Sequence, residues 1–394
     1  MVVVLAQEPG TDKLADNGQA EMLLVKAMPT DGGRSRMKPW TAGIALTAAL
    51  VLTSAACGAA GDPGGDGAGR DGLTIGVLLP ETETSRYETF DRPLIEQAVK
   101  EQCGDCTVRY GNAENDVQIQ HRQMNAMLSQ GVDVLILDPV QEVYLRGLIT
   151  EAAEMDVPVV SYDRVAQGPI SGYVSFDSEA IGVLQGEGLL DGLGSRADGA
   201  QVVRVEGPLW NPDHVAVSML EQAGARVSRT YVASGWTPEN AYAIMAGAIA
   251  DQGVDKIDAV WAANDALAAG VISALKSARR GPLPPVSGQD ADLSAVQRIV
   301  SGEQYMTIYK PYRLQADAAV DMALALVRGE SLRSIATGRI STDTARNVPS
   351  VELEPALVTV DTIKQTVIRD GMYTVSEICT PKYRPACEKA GLID

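Results

Sequence analysis

Histidine is scarce in this sequence of 394 residues, which contains only His121 and His214. A metal site built on several histidines, or a serine–histidine–aspartate triad, therefore has few side chains to draw on. We expect both histidines to be ordinary residues of a helix surface or a loop. The sequence predicts no metal site, no cofactor and no catalytic residue.

Positive charge is also in short supply. Lysine and arginine number 33 against 51 aspartates and glutamates, which gives a formal net charge of −18 and an isoelectric point near 4.6. Nucleic acid repels such a chain unless the chain carries a strong basic stripe, and the sequence has no such stripe. The same balance argues against a polybasic protein of the membrane surface. A glycine-rich loop ending in lysine is missing as well, so we do not expect ATP hydrolysis.

Short apolar segments rich in β-branched residues alternate with helical patterns from residue 73 onward, which is typical of a parallel α/β sheet. The predicted strands cover residues 73–80, 106–110, 132–139, 157–163, 172–177, 201–205, 227–232 and 258–263, followed by strands that start at 286 and 305. The predicted helices cover residues 92–102, 116–130, 142–155, 178–193, 213–223, 239–252 and 314–327, with two more that start near 265 and 292. The pattern restarts after an extended connector, so we predict an α/β fold with two doubly wound parallel-sheet lobes.

Three late apolar segments end abruptly in polar residues. Asn264 follows one segment, Gln289 and Asp290 end the next, and Lys310 ends the third. In open α/β sheets, ligands bind outside the carboxyl ends of the strands. An amide, a carboxylate and an ammonium group together suit a small polyhydroxylated molecule, which needs donors and acceptors of fixed direction.

The N-terminal residues read as an export signal. Basic residues at 34–38 precede an uncharged, mostly apolar run at 41–56, which is short for a transmembrane span, and Cys57 follows directly. A cysteine after Ser-Ala-Ala resembles the lipobox of bacterial lipoproteins, although Ser54 stands where leucine is commoner. We predict an upstream extension and lipoprotein signal peptide at 1–57, lipidation of Cys57 and a glycine-rich tether at 58–72. The alternative is plain secretion with an incidental cysteine.

Four further cysteines are Cys103, Cys106, Cys379 and Cys387. An even number in an exported protein suggests disulfides, and four cysteines allow three pairings. We favour Cys103–Cys106 and Cys379–Cys387 because the members of each pair are close in sequence. A redox Cys-x-x-Cys motif at Cys103 is the alternative, but such a motif usually precedes a helix, whereas this one leads into a predicted strand.

Six short segments together resemble the D-xylose-binding proteins of bacterial ABC transporters. They are Ser-Tyr-Asp-Arg at 161–164, Tyr-Val-Ser-Phe-Asp-Ser at 173–178, Trp-Thr-Pro-Glu-Asn at 236–240, Ala-Asn-Asp at 263–265, Ser-Gly-Gln-Asp-Ala-Asp at 287–292 and Tyr-Lys-Pro at 309–311. The likeness covers most of residues 73–345. It implies a type I periplasmic-binding fold, in which a sugar binds between two α/β lobes joined by a three-segment hinge. We assign residues 73–174 and about 311–341 to the first lobe, and residues 175–310 and about 342–394, with a disulfide-stapled tail, to the second.

The resemblance implies that ten residues contact the sugar. They are Arg86, Tyr87, Asp163, Arg164, Asn211, Asp213, Trp236, Asn264, Asp290 and Lys310. Elementary chemistry supports these roles, because carboxylates and amides accept or donate at hydroxyl groups and cations fill oxygen lone pairs. Aromatic rings cover the C–H faces of a pyranose.

One segment departs from the family pattern. The family usually has a Pro-x-Asp-Asn-like turn after the strand at 201–205, whereas this chain has Gly-Pro-Leu-Trp-Asn-Pro-Asp-His at 207–214. Asn211 and Asp213 are the stand-ins if one residue is inserted. Without the insertion, Trp210 replaces a carboxylate, so the identity of the sugar stays open while its class does not.

Several of the assigned residues also have a purely structural alternative. Asp163 and Arg164 could pair with each other. Asn264 could cap the helix that follows it, and Asp290 could cap the helix that begins near residue 292. Trp236 could be an aromatic residue of a lobe surface or core.

The predicted protein is a non-catalytic, monomeric receptor that is lipid-anchored on the outer face of the cell membrane. It would bind a monosaccharide, D-xylose or a related aldopentose, shift from open to closed, and deliver the sugar to a membrane permease and its ATPase subunit. The main alternative is a sensory receptor that feeds a chemoreceptor or kinase. A repressor core shares the fold, but the export signal and the lack of a helix-turn-helix count against it. A sugar hydrolase would use paired carboxylates such as Asp163 and Asp290, but Arg164 and Lys310 would hold these ionised.

Overall fold

The computed structural model describes residues 72–208, 214–278 and 281–394. The predicted signal peptide and most of the tether lie outside these ranges, as do Cys57, Trp210, Asn211 and Asp213. Export and lipidation therefore stay predictions. Among the described helices, none reaches the length and apolar character needed to cross a bilayer.

Strands and helices alternate along the described residues, as the sequence predicts. The strands are β1 (Thr74–Leu79), β2 (Thr107–Asn112), β3 (Val134–Leu137), β4 (Val159–Tyr162), β5 (Gly172–Phe176), β6 (Gln201–Glu206), β7 (Arg226–Val232), β8 (Ala259–Ala262), β9 (Thr307–Tyr309), β10 (Gly338–Ile340), β11 (Val348–Leu353) and β12 (Ala356–Val358). The α-helices are α1 (Arg92–Gln102), α2 (Val117–Ser129), α3 (Arg146–Glu154), α4 (Ser178–Leu193), α5 (His214–Gln222), α6 (Pro238–Gln252), α7 (Asp265–Ser277), α8 (Leu293–Val300), α9 (Tyr312–Val327), α10 (Val375–Ile378) and α11 (Arg384–Lys389). Helices α1 and α4 begin and end at the predicted residues.

The first lobe is built on a seven-stranded sheet in the order β10-β11-β5-β4-β3-β1-β2. Its strands are parallel except β10, which runs antiparallel to β11. Strands β3 and β4 are buried at every position. Such continuous apolar strands fit a parallel sheet that is covered on both faces, and one apolar cluster lies on each face.

The second lobe contains the parallel sheet β7-β6-β8 and the antiparallel pair β12-β9. The segment at 285–290 lies between them. Its backbone bonds β8 through Val260, and the N–H of Asp290 donates to the carbonyl of Ile308 in β9 at 2.9 Å. The predicted strand at 286 is therefore in the expected place, although only Val286 forms a ladder bridge.

Three segments cross between the lobes, as the resemblance implied. They run from β5 to α4, from β9 to α9 and from β11 to β12. The N–H of Asp177 in the first crossing donates to the carbonyl of Leu353 in the third at 2.9 Å, so these two crossings lie side by side. Helix α9 packs in the first-lobe core, as predicted for the helix after Pro311.

The boundary of the lobes differs from the prediction at the third crossing. Strand β11 pairs with β5, and Ser350 lies opposite Tyr173, so residues up to Leu353 belong to the first lobe. The predicted return to the second lobe at about residue 342 is wrong. The partner of a short strand depends on contacts far along the chain, and β11 finds its partner in the first lobe. The tail after β12 packs against α8 in one apolar cluster.

The four cysteines of the described residues form the two local disulfides favoured from the sequence, Cys103–Cys106 and Cys379–Cys387. The first closes the turn between α1 and β2, and the second joins the segment after α10 to α11. Cys103, Asp105 and Cys106 also form the one cluster of metal-ligating side chains found within the described residues. Because both sulfurs are in a disulfide, this cluster does not suit a metal ion.

Helices α6 and α7 pack closely, and this contact positions two predicted site residues. Trp236 precedes α6, and Asn264 immediately precedes α7. Close approach depends on Gly270 in α7, because a Cβ there would lie 2.0 Å from the carbonyl oxygen of Pro238. Gly247 in α6 differs, since a Cβ there would meet no atom within 4 Å.

These two glycines give a matched test of the packing. Gly270→Ala should lower the free energy of unfolding by about 1–3 kcal/mol, because the added methyl forces the helices apart. Gly247→Ala should raise it by roughly 0.5–1 kcal/mol, because alanine restricts the unfolded chain and favours the helix. Denaturant unfolding of both variants would check this, and equal effects of the two substitutions would contradict the proposed contact.

Candidate functional site

The carboxyl ends of strands from both lobes meet at one pocket, which we call the inner pocket. Its lining residues are Thr84, Arg86, Tyr87, Asp163, Arg164, Trp236, Asn264, Gln289, Asp290 and Lys310. Eight of the ten residues predicted to bind a ligand are in this set, and the other two, Asn211 and Asp213, lie outside the described residues. The structure thus brings together every predicted ligand residue that it describes.

Arg86 is the most constrained side chain of the pocket and is 1% exposed. Its Nε and Nη2 donate to the two carboxylate oxygens of Asp91 at 2.8 and 3.0 Å, and Nη2 also donates to Gln315 Oε1 at 2.9 Å. Nη1 donates to Asp163 Oδ1 at 2.8 Å. Burial disfavours the charge on Arg86, but Asp163 and Asp91 outweigh burial and raise its pKa. The guanidinium is therefore a fixed cation with one edge toward the pocket.

Arg86, Asp163, Lys310 and Asp290 form a closed ring of alternating charge, which we call the charge ring. Lys310 Nζ lies 3.0 Å from Asp290 Oδ1 and 4.0 Å from Asp163 Oδ1, and Arg86 Nη1 lies 3.9 Å from Asp290 Oδ1. Burial favours the neutral form of Asp163, but the charges of Arg86 and Lys310 outweigh burial and lower its pKa. Asp163 therefore stays ionised, which is the opposite of what the acid of a hydrolase requires.

Both carboxylates of the charge ring project from left-handed backbone. Asp163 has φ +58° and Asp290 has φ +92°, a region that residues with a side chain rarely adopt. The N–H of Asp163 donates to Val174 O at 2.9 Å, and its carbonyl accepts from Ser175 Oγ at 2.8 Å. Such conformations persist only where neighbours hold them, and they concentrate at functional sites.

Arg164 does not pair with Asp163, so the alternative in which these two residues only pair with each other is wrong. Its Nε lies 3.8 Å from Asp138 Oδ1, Nη1 donates to Pro139 O at 3.3 Å, and Nη2 donates to the Tyr87 hydroxyl at 3.3 Å. Burial raises the pKa of Asp138, whose two side-chain oxygens accept no hydrogen bond within the described residues. Arg164 thus spans from Asp138, behind the pocket, to Tyr87 in its wall.

Asn264 has both a structural and a pocket role. Its Oδ1 accepts from the N–H of Leu267 at 2.9 Å and caps α7, which leaves the amide NH2 for a ligand. Asp290 is not a cap, because the N-cap residue of α8 is Asp292. Asp290 Oδ1 and Gln289 Oε1 accept no hydrogen bond within the described residues, since Lys310 lies close to Asp290 without hydrogen-bond geometry. Two buried acceptors are therefore available to hydroxyl groups.

A wider space of about 440 Å³, which we call the outer cleft, opens beside the inner pocket. It shares Asp163, Arg164, Lys310 and Trp236 with the inner pocket. The Trp236 ring also packs against the second-lobe core and covers Gly207, where a Cβ would come within 2.2 Å of the ring. The alternative that Trp236 is an aromatic residue of the core is thus partly right, although Trp236 still lines both the inner pocket and the outer cleft.

Sequence reasoning missed four residues that shape the site. Thr84 and Gln289 line the inner pocket, and Asp91 and Gln315 hold Arg86. Gln289 belongs to the segment Ser-Gly-Gln-Asp-Ala-Asp at 287–292 and lies at the end of a predicted strand, so the sequence could have indicated it as a site residue. Gln315 gave none, because its contact with Arg86 exists only after α9 has packed on the first lobe. Asp91 stands five residues after Arg86, so its nearness in sequence was a usable signal.

Comparison with known proteins now identifies the family. Residues 75–331 match the family model of the periplasmic binding protein domain. The chain belongs to this family. The D-xylose-binding periplasmic protein of Escherichia coli strain K12 is 33% identical over 320 residues, which cover 78% of this chain and 92% of that relative. This match confirms the xylose-binding branch that the six motifs indicated.

Two further similar proteins extend the comparison. The multiple sugar-binding periplasmic receptor of Rhizobium radiobacter is 28% identical over 330 residues, covering 77% of this chain and 92% of its own. A solute-binding protein of an ABC transporter from Clostridium phytofermentans, solved with bound β-D-glucose, superposes with a TM-score of 0.70 at 26% identity. It covers 77% of this chain and 99% of its own. These relatives are binding proteins rather than enzymes.

A further polar contact joins the lobes beside the charge ring. Ser85 Oγ donates to Asp292 Oδ1 at 2.6 Å, and the N–H of Asp292 donates to Asp265 Oδ2 at 3.0 Å. Burial and, less strongly, the charge of Asp290 together raise the pKa of Asp292 to about 6, against the opposing effects of Ser85 and Arg298. This carboxyl therefore titrates in the mildly acidic range.

The pH dependence of stability should reveal Asp292. Its folded-state pKa lies above the value of about 3.9 for a free aspartate, so the folded protein binds more protons between about pH 4 and 6. Raising the pH through this window should therefore lower the free energy of unfolding, by roughly 1–3 kcal/mol from this group. Asp292→Asn should remove most of that loss in denaturant titrations at pH 4 to 7. The exposed Asp343→Asn is the control, and a slope in Asp292→Asn equal to that of the wild type would refute the assignment.

Proposed function

We propose that this protein is the extracytoplasmic receptor of an ABC sugar importer and that it binds an aldopentose, D-xylose first among them, where the inner pocket opens into the outer cleft. The observation that supports this most is the convergence of eight predicted ligand residues, from both lobes, on one pocket. The xylose-binding and multiple sugar-binding names of its relatives agree with it.

The chemistry of the lining suits a neutral polyol. Each sugar hydroxyl both donates and accepts, and the pocket offers cationic donors beside buried acceptors. Asp290 Oδ1 and Gln289 Oε1 can each accept from a hydroxyl, while Lys310 and the Asn264 amide can donate to one. Trp236 can cover an apolar C–H face of the ring.

A sugar that binds between the two lobes changes the balance between the open and the closed receptor. A ligand that contacts both lobes stabilises the closed arrangement in proportion to its differential affinity for that state. The closed protein would then be recognised by a membrane permease and its ATPase subunit. The receptor acts as a monomer in this scheme and itself performs no catalysis.

A titration with sugars would test the proposal directly. Isothermal calorimetry of the exported protein should show binding of D-xylose with a Kd in the micromolar range or tighter, and D-ribose, L-arabinose, D-glucose, D-galactose and xylitol would define the selectivity. Asp290→Asn should weaken D-xylose binding by about 10- to 100-fold, because a hydrogen bond to a charged group contributes about 1.5–3 kcal/mol. Asp343→Asn, on the surface, should bind as the wild type does. A folded protein that binds none of these sugars would refute the proposed function.

We also propose that the receptor is held at the membrane by acyl chains on Cys57. One acyl chain gives marginal binding, but several together anchor a protein stably. Cys57→Ala should therefore move the protein from the membrane fraction to the soluble fraction and abolish its labelling by an alkyne-tagged fatty acid in the native host. Cys57→Ala protein that remains membrane-bound and labelled would exclude this anchor.

A further inference from the structure

We propose that Tyr312 is a positioning residue for the sugar site, one that fixes the cation of one lobe and the carboxylate of the other with a single side chain. The inference rests on the proposed function and adds a residue that lies behind the pocket. Tyr312 is 3% exposed and is the first residue of α9. It lines neither the inner pocket nor the outer cleft, so any effect on a ligand passes through its neighbours.

The ring of Tyr312 supports Arg86. The guanidinium carbon of Arg86 lies 4.4 Å from the ring centroid, and the same ring stacks with Phe90 at 5.6 Å with an interplanar angle of 30°. Asp91 and Gln315 hold the edge of the guanidinium, whereas the ring of Tyr312 lies under its central carbon. A buried cation over an aromatic face is attracted by the ring quadrupole, which stabilises Arg86 in this position.

The hydroxyl of Tyr312 fixes Asp290. It donates to the main-chain carbonyl of Asp290 at 2.8 Å. Asp290 at φ +92° and Ala291 at φ +51° form two consecutive left-handed residues, so this turn needs bonds to hold it. The Tyr312 hydroxyl supplies one, and the N–H of Ala291 supplies another by donating to Thr307 Oγ1 at 3.2 Å.

These two contacts belong to different lobes. Arg86 lies in the first lobe, and α9 packs in the first-lobe core, whereas Asp290 belongs to the segment between β8 and β9 of the second lobe. Tyr312 follows the second crossing directly, two residues after Lys310. One side chain therefore sets the distance between Arg86 and Asp290 on which both halves of the charge ring depend.

Two variants separate the contacts of Tyr312. Tyr312→Phe keeps the ring under Arg86 and removes the bond to Asp290, so D-xylose binding should weaken about 5- to 10-fold. Tyr312→Leu removes both contacts and should weaken binding by about 50-fold or more. The control is Tyr309→Phe, because Tyr309 is buried on β9 of the same crossing, and among the described residues its hydroxyl bonds Asp370 rather than Arg86 or Asp290.

Calorimetric titration with D-xylose and thermal unfolding without sugar should be measured on the exported wild type and the three variants. We expect similar losses of unfolding temperature in Tyr312→Phe and Tyr309→Phe but a weakened Kd in the former alone. Equal Kd values in these two variants would overturn the inference, since a merely structural tyrosine would lower stability without changing affinity. Should Tyr312→Leu not fold, Tyr312→Phe decides the matter. A wild type that binds no sugar would overturn the proposed function, and this inference with it.

Discussion

The pairing of four buried charges, Arg86, Asp163, Lys310 and Asp290, is the constraint on which the site depends. A buried ion is tolerated only when it is paired and hydrogen-bonded, so no member of the charge ring can be placed without the others. The four residues come from different parts of the fold. Arg86 lies in the loop after β1, Asp163 follows β4, Lys310 follows β9, and Asp290 ends the segment at 285–290. The strand ends of both lobes must therefore lie close together. The crossings must also hold the lobes so that the longest contact of the charge ring, between Lys310 and Asp163, is 4.0 Å.

Arg86 and the two carboxylates of the charge ring are held in place by different means. In the first lobe, Arg86 is fixed by side chains, chiefly the two oxygens of Asp91 and the amide of Gln315. For the carboxylates, main-chain geometry contributes more, because Asp163 stands at φ +58° and Asp290 at φ +92°, and the N–H of each donates to a carbonyl of a neighbouring strand. Substitutions near Arg86 should thus act through lost hydrogen bonds, whereas substitutions near Asp290 act through the backbone.

Most of the fold could be predicted from local sequence, and the features that could not be predicted have a common cause. Helices α1 and α4 could be placed to the residue because Pro93 marks the first turn of one and Asp177 caps the other. The polar residues at strand ends could be predicted as site residues because parallel sheets collect such residues at one edge. The lobe to which β11 belongs could not be predicted, because the pairing of β11 with β5 joins residues far apart in the chain. The support of Arg86 by Gln315 is likewise a product of packing, because 229 residues separate the two and sequence spacing gives no pattern for such a contact.

The alternation of sign around the charge ring also limits what can bind in it. A ligand with a net negative charge would face Asp163 and Asp290, and one with a net positive charge would face Arg86 and Lys310, at distances where like charges repel strongly in a poorly hydrated site. A neutral hydroxyl avoids both penalties, because it donates toward the carboxylates and accepts from the cations at the same time. The ring is preorganised by Asp91, Gln315 and the left-handed backbone, so a polyol that enters it spends little of its binding free energy on ordering the protein. The electrostatic arrangement therefore favours a neutral sugar over charged solutes of the same size.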